Sequence, residues 1–68
     1  MYKAETGQMG QTFADFNEAV AYATSGAWGR VVDSDGVHMR AEWVFSNGAM
    51  TKARVNVNGQ MQTADRAT

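Results

Sequence analysis

The 68-residue chain contains no cysteine, no proline, no leucine and no isoleucine. Without cysteine, neither a disulfide nor a thiolate zinc site can reinforce the fold. Without leucine and isoleucine, the core has to come from valine, alanine, methionine and the seven aromatic side chains. A chain of this length forms one small domain with a modest core. We therefore expect a single domain over residues 1–68, with a frayed tail at 65–68.

Strong net charge and long apolar segments are also absent. Charged residues make up 19% of the chain and the net charge is −1, which argues against both a strongly basic nucleic-acid binder and an acidic mimic of DNA. No apolar run approaches the roughly 20 residues that cross a bilayer. The first residues, MYKAETGQ, lack the apolar segment of a secretory signal. These absences predict a cytoplasmic protein without a membrane partner.

One amphipathic helix is predicted after residue 12. Thr12 is a suitable N-cap, and Asp15 lies three residues later, where a carboxylate favours a helix start. Apolar side chains then recur at helical spacing on one face, at Phe13, Phe16, Val20 and Ala23. Ser25 and Gly26 are predicted to end the helix, because glycine accepts the left-handed conformation common at helix ends.

Short strands are predicted on both sides of this helix. Residues 1–5 alternate as a strand does, and residues 6–11 form either a loop or a continuation of it. Asp-Gly and Asn-Gly turn signals later divide the chain into strands near 28–33, 37–45, 49–57 and 60–64. The predicted fold is α+β, in the order β-α-β-β-β-β, with the helix on one face of a three- to five-stranded antiparallel meander.

The stretch HMRAEWVF at 38–45 predicts which face of the sheet is buried. A three-residue loop, Ser46-Asn47-Gly48, keeps the inner face apolar, whereas a two-residue loop at Asn47-Gly48 puts basic residues there. The resulting inner face of this strand consists of Met39, Ala41, Trp43 and Phe45. In the same register, Arg40 lies opposite Arg54 and Glu42 lies opposite Lys52.

No motif for catalysis, metal binding or cofactor binding stands out. The DSDG segment at 33–36 resembles the start of a calcium loop, but a turn explains it better because a strand follows at once. His38 is the sole histidine, and along a strand it lies about 13 Å from Glu42, too far for a shared proton or metal. We expect a protein that is not an enzyme and carries no cofactor.

The outer face of the sheet is the predicted partner-binding surface. It collects polar and charged side chains from two neighbouring strands: Arg40, Glu42, Lys52, Arg54 and Asn56. Tyr22, on the far side of the helix from Phe13, and Trp28, after the helix, are predicted to be exposed aromatic contacts of the kind enriched at interfaces. In the predicted register no aromatic side chain joins the outer face, which disfavours stacking of nucleic-acid bases.

The layout of a short strand, one helix and a meander in a small cysteine-free chain is similar to that of many small phage-encoded proteins. That resemblance implies a binder and inhibitor of a host machine, such as RNA polymerase or a CRISPR effector. The first hypothesis is therefore a protein-binding module that inhibits a bacterial enzyme or defence complex. The alternatives are a weak nucleic-acid-binding module on the outer face and a structural homo-oligomer, such as a homodimer, formed through strand edges.

Overall fold

The computed structural model describes residues 1–36 and 38–63, which form one helix and six strands. The elements are β1 Tyr2–Thr6, β2 Met9–Phe13, α1 Phe16–Ala23, β3 Trp28–Ser34, β4 Met39–Ser46, β5 Ala49–Val57 and β6 Gln60–Thr63. The α+β class with an antiparallel sheet is confirmed, whereas the predicted three to five strands are too few. The predicted tail at 65–68 lies outside the described residues.

The additional strand precedes the helix, so the order is β-β-α-β-β-β-β. Gly7, with φ of 59°, starts a two-residue turn that pairs Thr6 with Met9. A glycine with positive φ at the first central position is typical of the type II′ hairpin turn. The segment TGQMGQ is therefore the turn and most of a second strand, because backbone pairing to β1 outweighs its weak strand propensity.

All neighbouring strands of the sheet are antiparallel, in the order β2-β1-β3-β4-β5-β6. The first strand lies inside the sheet, between β2 and β3, and the sheet edges are β2 and β6. Because paired residues on neighbouring strands point to the same side, each cross-strand row belongs to one face. We call the face under the helix the helix side and the opposite face the outer face.

The helix begins later than predicted, at Phe16. Asp15 has an extended backbone and its carboxylate accepts a hydrogen bond from the backbone N–H of Glu18 at 3.0 Å, so Asp15 is the N-cap. Thr12, the predicted cap, pairs with Lys3 in the sheet, and Phe13 pairs with Tyr2. Both residue types can cap a helix, and strand pairing decides between them. The helix ends at Ala23, and the hydroxyl of the C-cap residue Thr24 donates to the carbonyl of Val20 at 2.8 Å.

Small residues let the helix approach the sheet closely. Ala4, Ala19 and Ala23 are fully buried, and Val31 lies with them in the core. Gly29 of β3 lies directly beneath the end of the helix, where a Cβ would stand 1.7 Å from the carbonyl oxygen of Ala23. The alanines therefore make the centre of the core thin, so that the contact between helix and sheet depends there on short distances.

The helix lies mainly over β1, β2 and β3. Its aromatic end reaches β4, where the rings of Phe16 and Trp43 are 4.7 Å apart in an edge-on arrangement. The helix therefore does not cover every apolar residue of the later strands: Met39 is half-buried and Val55 remains 39% exposed. One helix is about 10 Å across, which is too narrow to cover six strands.

The hairpin between β4 and β5 has a two-residue turn, so the predicted three-residue loop is wrong. Asn47 and Gly48 both have positive φ, 53° and 83°, as the type I′ turn requires. Ser46 pairs with Ala49, and a bulge follows in β5, since Val44 pairs with Lys52 and Phe45 with Met50. Thr51 is the extra residue of that bulge. It restores the facing that a longer loop would have given, so the predicted inner positions of Ala41, Trp43 and Phe45 are confirmed. Met39 is the exception, because a second register shift pairs it with Ser34, which lies in an outer-face row.

Candidate outer-face binding surface

An ion-pair ladder crosses four strands of the outer face. Arg30 on β3 donates from Nη1 to Glu5 Oε1 on β1 at 3.1 Å and from Nε to Glu42 Oε2 on β4 at 2.6 Å. Arg54 on β5 donates from Nε to Glu42 Oε1 at 2.9 Å, and its Nη2 bonds the same oxygen. Charge-assisted bonds of this kind are stronger than bonds between neutral groups. The ladder therefore holds its side chains in fixed positions along the face.

Glu42 is the centre of the ladder and is buried, with 7% of the residue exposed. Burial by itself raises the pKa of this carboxyl, but the hydrogen bonds from Arg54 and Arg30 and their positive charges outweigh it. The net result is a pKa below the ordinary value of 4.5, so Glu42 is an anion at neutral pH. Its carboxylate is enclosed by its two arginine partners, which leaves little of this predicted contact residue for a partner.

Besides Lys3, whose Nζ lies 3.6 Å from Glu5 Oε2, the exposed cations of the face are Arg40 and Lys52. Within the described residues, neither Arg40 nor Lys52 makes a salt bridge. The predicted pairing of Arg40 with Arg54 is wrong, and so is that of Glu42 with Lys52: Arg54 lies opposite Glu42, and Lys52 lies opposite Val44. The bulge at Thr51 produces this register and removes the like-charge pair that the sequence predicted.

Asn56 is largely used within the fold. Its side-chain amide donates to the carbonyl of Met39 at 3.0 Å, and its Oδ1 accepts the backbone N–H of Gly59 at 2.9 Å. The first bond ties β5 to the start of β4, and the second supports the turn before β6. Of the five predicted contact residues on the outer face, Arg40 and Lys52 are thus the most accessible, with Arg54 half-exposed.

Trp28 lies on the outer face and is 46% exposed, which agrees with the prediction that its side chain is exposed. It shares this face with Arg30 two residues later, while Gly29 between them faces the helix. The indole borders a shallow depression of about 530 Å³, together with Lys3, Glu5 and Gly10. The expectation that no aromatic joins the outer face is therefore wrong. Simple alternation through Trp28, Arg30 and Val32 is the sequence signal that would have placed it there.

Tyr22 is half-buried rather than exposed. Its ring packs on that of Phe13 with 5.6 Å between centroids. The prediction placed both rings on one helix, pointing apart, whereas Phe13 belongs to β2 and reaches the helix from the sheet. Tyr22 consequently belongs to the periphery of the core.

Lys and Arg side chains are confined to one face throughout the described residues. The outer face carries Lys3, Arg30, Arg40, Lys52 and Arg54. Two carboxylates, Glu5 and Glu42, accompany these five cations, which leaves a formal charge of +3. By contrast, the helix side carries Asp15 and Glu18 on or next to α1 and Asp33 on β3. The overall charge of −1 hides this separation.

Among the described residues, few other side chains could take part in catalysis or metal binding. His38 is exposed, and its Nδ1 lies 3.8 Å from an oxygen of Asp35 in the turn between β3 and β4. Over residues 1–36 and 38–63, no group of three or more histidines and carboxylates is placed to hold a metal ion. In the same ranges, no helix has the length and apolar character that a membrane span requires.

Comparison of the chain with protein-family models, with curated proteins and with solved structures gives no match. Function therefore has to be argued from the surface itself.

Proposed function

We propose that this protein is a non-catalytic protein-binding module whose outer face contacts an acidic surface of its partner. The observation that carries the proposal is the confinement of all five described Lys and Arg side chains to one sheet face. Charge complementarity of this kind accelerates association and selects among partners. The proposed role follows from the size and layout of the domain: it occupies a surface of a bacterial enzyme or defence complex and inhibits it.

Preorganisation supports this assignment. The guanidinium groups of Arg30 and Arg54 are already fixed by Glu42, so little additional side-chain entropy is lost when a partner binds. Arg40 and Lys52 extend beyond the ladder as exposed cations for intermolecular ion pairs. Trp28 adds a large exposed aromatic at the rim, and tryptophan and arginine are the residue types most enriched among interface hot spots.

A second candidate function, binding of single-stranded nucleic acid, is favoured by Trp28 specifically. Proteins that bind single strands without sequence preference combine a cationic track with aromatic side chains on which bases stack. Trp28 and Lys3 border the same depression, and Arg30 is the next outer-face residue on β3. A single exposed aromatic gives one stacking site, whereas open-sheet nucleic-acid binders stack two or three bases. We therefore place this function second.

Titration followed by amide NMR spectra tests both functions on one folded sample. The probes are a poly-glutamate peptide and a 12-residue oligothymidine. We expect the peptide to perturb amides of β4 and β5 around Arg40 and Lys52, and to bind about tenfold more weakly to the double variant Arg40→Gln with Lys52→Gln. The matched control is Asn17→Asp with Ala21→Glu, which changes the net charge equally but on the exposed side of α1.

The outcomes separate the candidates. Loss of peptide binding in the outer-face variant but not in the control supports the proposed function. If the protein instead binds the oligonucleotide more tightly than the peptide, and Trp28→Ala abolishes this binding, the second candidate replaces the proposed function. No perturbation of the outer face by either probe at low salt overturns both.

A further inference from the structure

The helix side of the sheet has an uncovered half next to α1. We call this surface the open shelf; it is formed by the helix-side residues of β4, β5 and β6, chiefly Ala41, Trp43, Ala53, Val55 and Val57. α1 lies over β1, β2 and β3. Trp43, in edge-on contact with Phe16, marks the boundary between the covered half and the shelf.

The dimensions of the shelf match one further helix. Six strands with neighbouring spacings near 4.8 Å make a sheet about 24 Å wide. A helix with its side chains is about 10 Å across, so α1 leaves room for one more helix in the same layer. The chain itself supplies only one helix within its described residues.

The shelf is apolar although nothing in the described residues covers it. Val55 and Val57 are 39% and 41% exposed, on a strand that has neighbours on both sides. Every charged side chain of β4 and β5 points to the outer face instead, and the shelf edge on β6 carries the uncharged Gln60 and Gln62. Apolar side chains held open in the middle of a sheet are typical of an interaction surface rather than a solvated one.

Carboxylates border the shelf and no Lys or Arg of the described residues shares its side. Asp33 lies in the same cross-strand row as Ala41 and Val55. Asp15 and Glu18 lie at the start of α1, which is the end of the helix nearest to that row, since Phe16 packs on Tyr2 opposite Asp33. The rim of the shelf is therefore acidic.

The size and charge of the open shelf indicate which kind of partner it can bind. Two copies packed shelf to shelf would bring their carboxylates together, with no Lys or Arg of residues 1–36 and 38–63 on either shelf. The shelf also measures about 14 by 20 Å, which is the footprint of a single helix about 10 Å wide and four turns long and is smaller than the face of about 800 Å² that each of two folded domains buries in a stable interface. We propose that the open shelf docks one amphipathic helix of a partner protein, with its apolar stripe on Trp43, Val55 and Val57 and its Lys or Arg residues beside Asp33. This surface is opposite the outer face, so the proposal stands independently of the proposed function.

Two synthetic peptides test the proposal: a four-turn amphipathic helix of leucine and lysine, and the same design with glutamate replacing lysine. We expect the lysine peptide to shift amide signals of β4 to β6 and to quench Trp43 fluorescence. The protein variant Val55→Gln with Val57→Gln should bind this peptide at least about tenfold more weakly. Both positions are already partly exposed, so folding is retained. Asp33→Asn should weaken binding by a factor of about three.

The matched control is Met9→Gln, which removes an exposed apolar side chain from the opposite sheet edge and should leave binding unchanged. The glutamate peptide should avoid the shelf. Three outcomes overturn the proposal: equal binding of both peptides at the shelf, unchanged binding in the Val55 and Val57 variant, or sedimentation of the free protein as a dimer that this variant abolishes.

Discussion

The covered and uncovered halves of the sheet use apolar residues in opposite ways. Under α1, the inner residues are small and fully buried, with Ala4 and Val31 in contact with Ala19 and Ala23 of the helix. Beyond Trp43, the valines of β5 are larger than these alanines but stay about 40% exposed. The covered half thus stabilises the domain, while the uncovered half keeps apolar surface available. The difference separates the apolar surface that stabilises this very small domain from the apolar surface that stays open for the proposed docking.

The largest expected effect concerns the closest contact of the covered half. In Gly29→Ala, the new Cβ would meet the backbone of Ala23 at 1.7 Å, so the helix has to move away from β3. Overpacking of this severity costs about 3 kcal/mol or more, enough to unfold much of a small domain. Urea denaturation followed by circular dichroism measures the loss.

Gly10→Ala is the control for this change, since its Cβ would find only ordinary contacts, the nearest at 3.5 Å. If both variants lose the same stability, the close approach of the helix is not what holds the covered half together.

An intermediate effect compares one valine from each half. Val31→Ala removes methyl groups from a fully buried site and should lower the free energy of unfolding by about 2 kcal/mol. Val55→Ala, at a site 39% exposed, should lower it by less than about 1 kcal/mol. Midpoints of urea denaturation give both values. Equal losses would show that the uncovered half contributes to stability as much as the core does.

A smaller, pH-dependent effect tests the ladder that joins the two halves across the outer face. Glu42→Gln keeps the shape of the side chain but removes the charge between Arg30 and Arg54, and should cost about 1–2 kcal/mol at pH 7. The folded-state pKa of Glu42 lies below the ordinary value of 4.5. Its contribution is therefore present above that value and is lost as the pH falls through the folded-state pKa.

The free energies of unfolding of wild type and Glu42→Gln should accordingly converge in acid, when measured by urea denaturation from pH 7 down to about pH 3. Hydrogen exchange should show faster opening of β5 and β6 in the variant than of β1. A constant difference at all pH values would mean that the charge of Glu42 does not stabilise the ladder.

The part of the fold after the helix was predictable because its signals are local. Asn47 with Gly48 and Asn58 with Gly59 each have positive φ at both positions, which few other residue pairs accept. These turns and the alternation between them predict strands at nearly the observed bounds. The inner face of β4 followed from the same alternation.

The part before the helix was harder to predict, because β2 has no alternating pattern: its residues MGQTF are exposed except for Phe13. Thr12 and Asp15 are equally good caps by type, and only pairing with β1 distinguishes them. Long-range pairing also decided the candidate site. The neighbours of Glu42 and Lys52 depend on one bulged residue, Thr51, which has no signature in the sequence. The outer position of Trp28, by contrast, was predictable from its alternation with Arg30 and Val32.

The bulge at Thr51 separates two properties that are usually linked in a hairpin, namely the length of the connection and the facing of the strand. Ala49 and Met50 already match Ser46 and Phe45, and Lys52 already matches Val44. Deletion of Thr51 alone would leave each of these pairs in place, with the cations outward and the shelf intact. At this position the chain can therefore lose a residue during its evolution without exchanging its two faces.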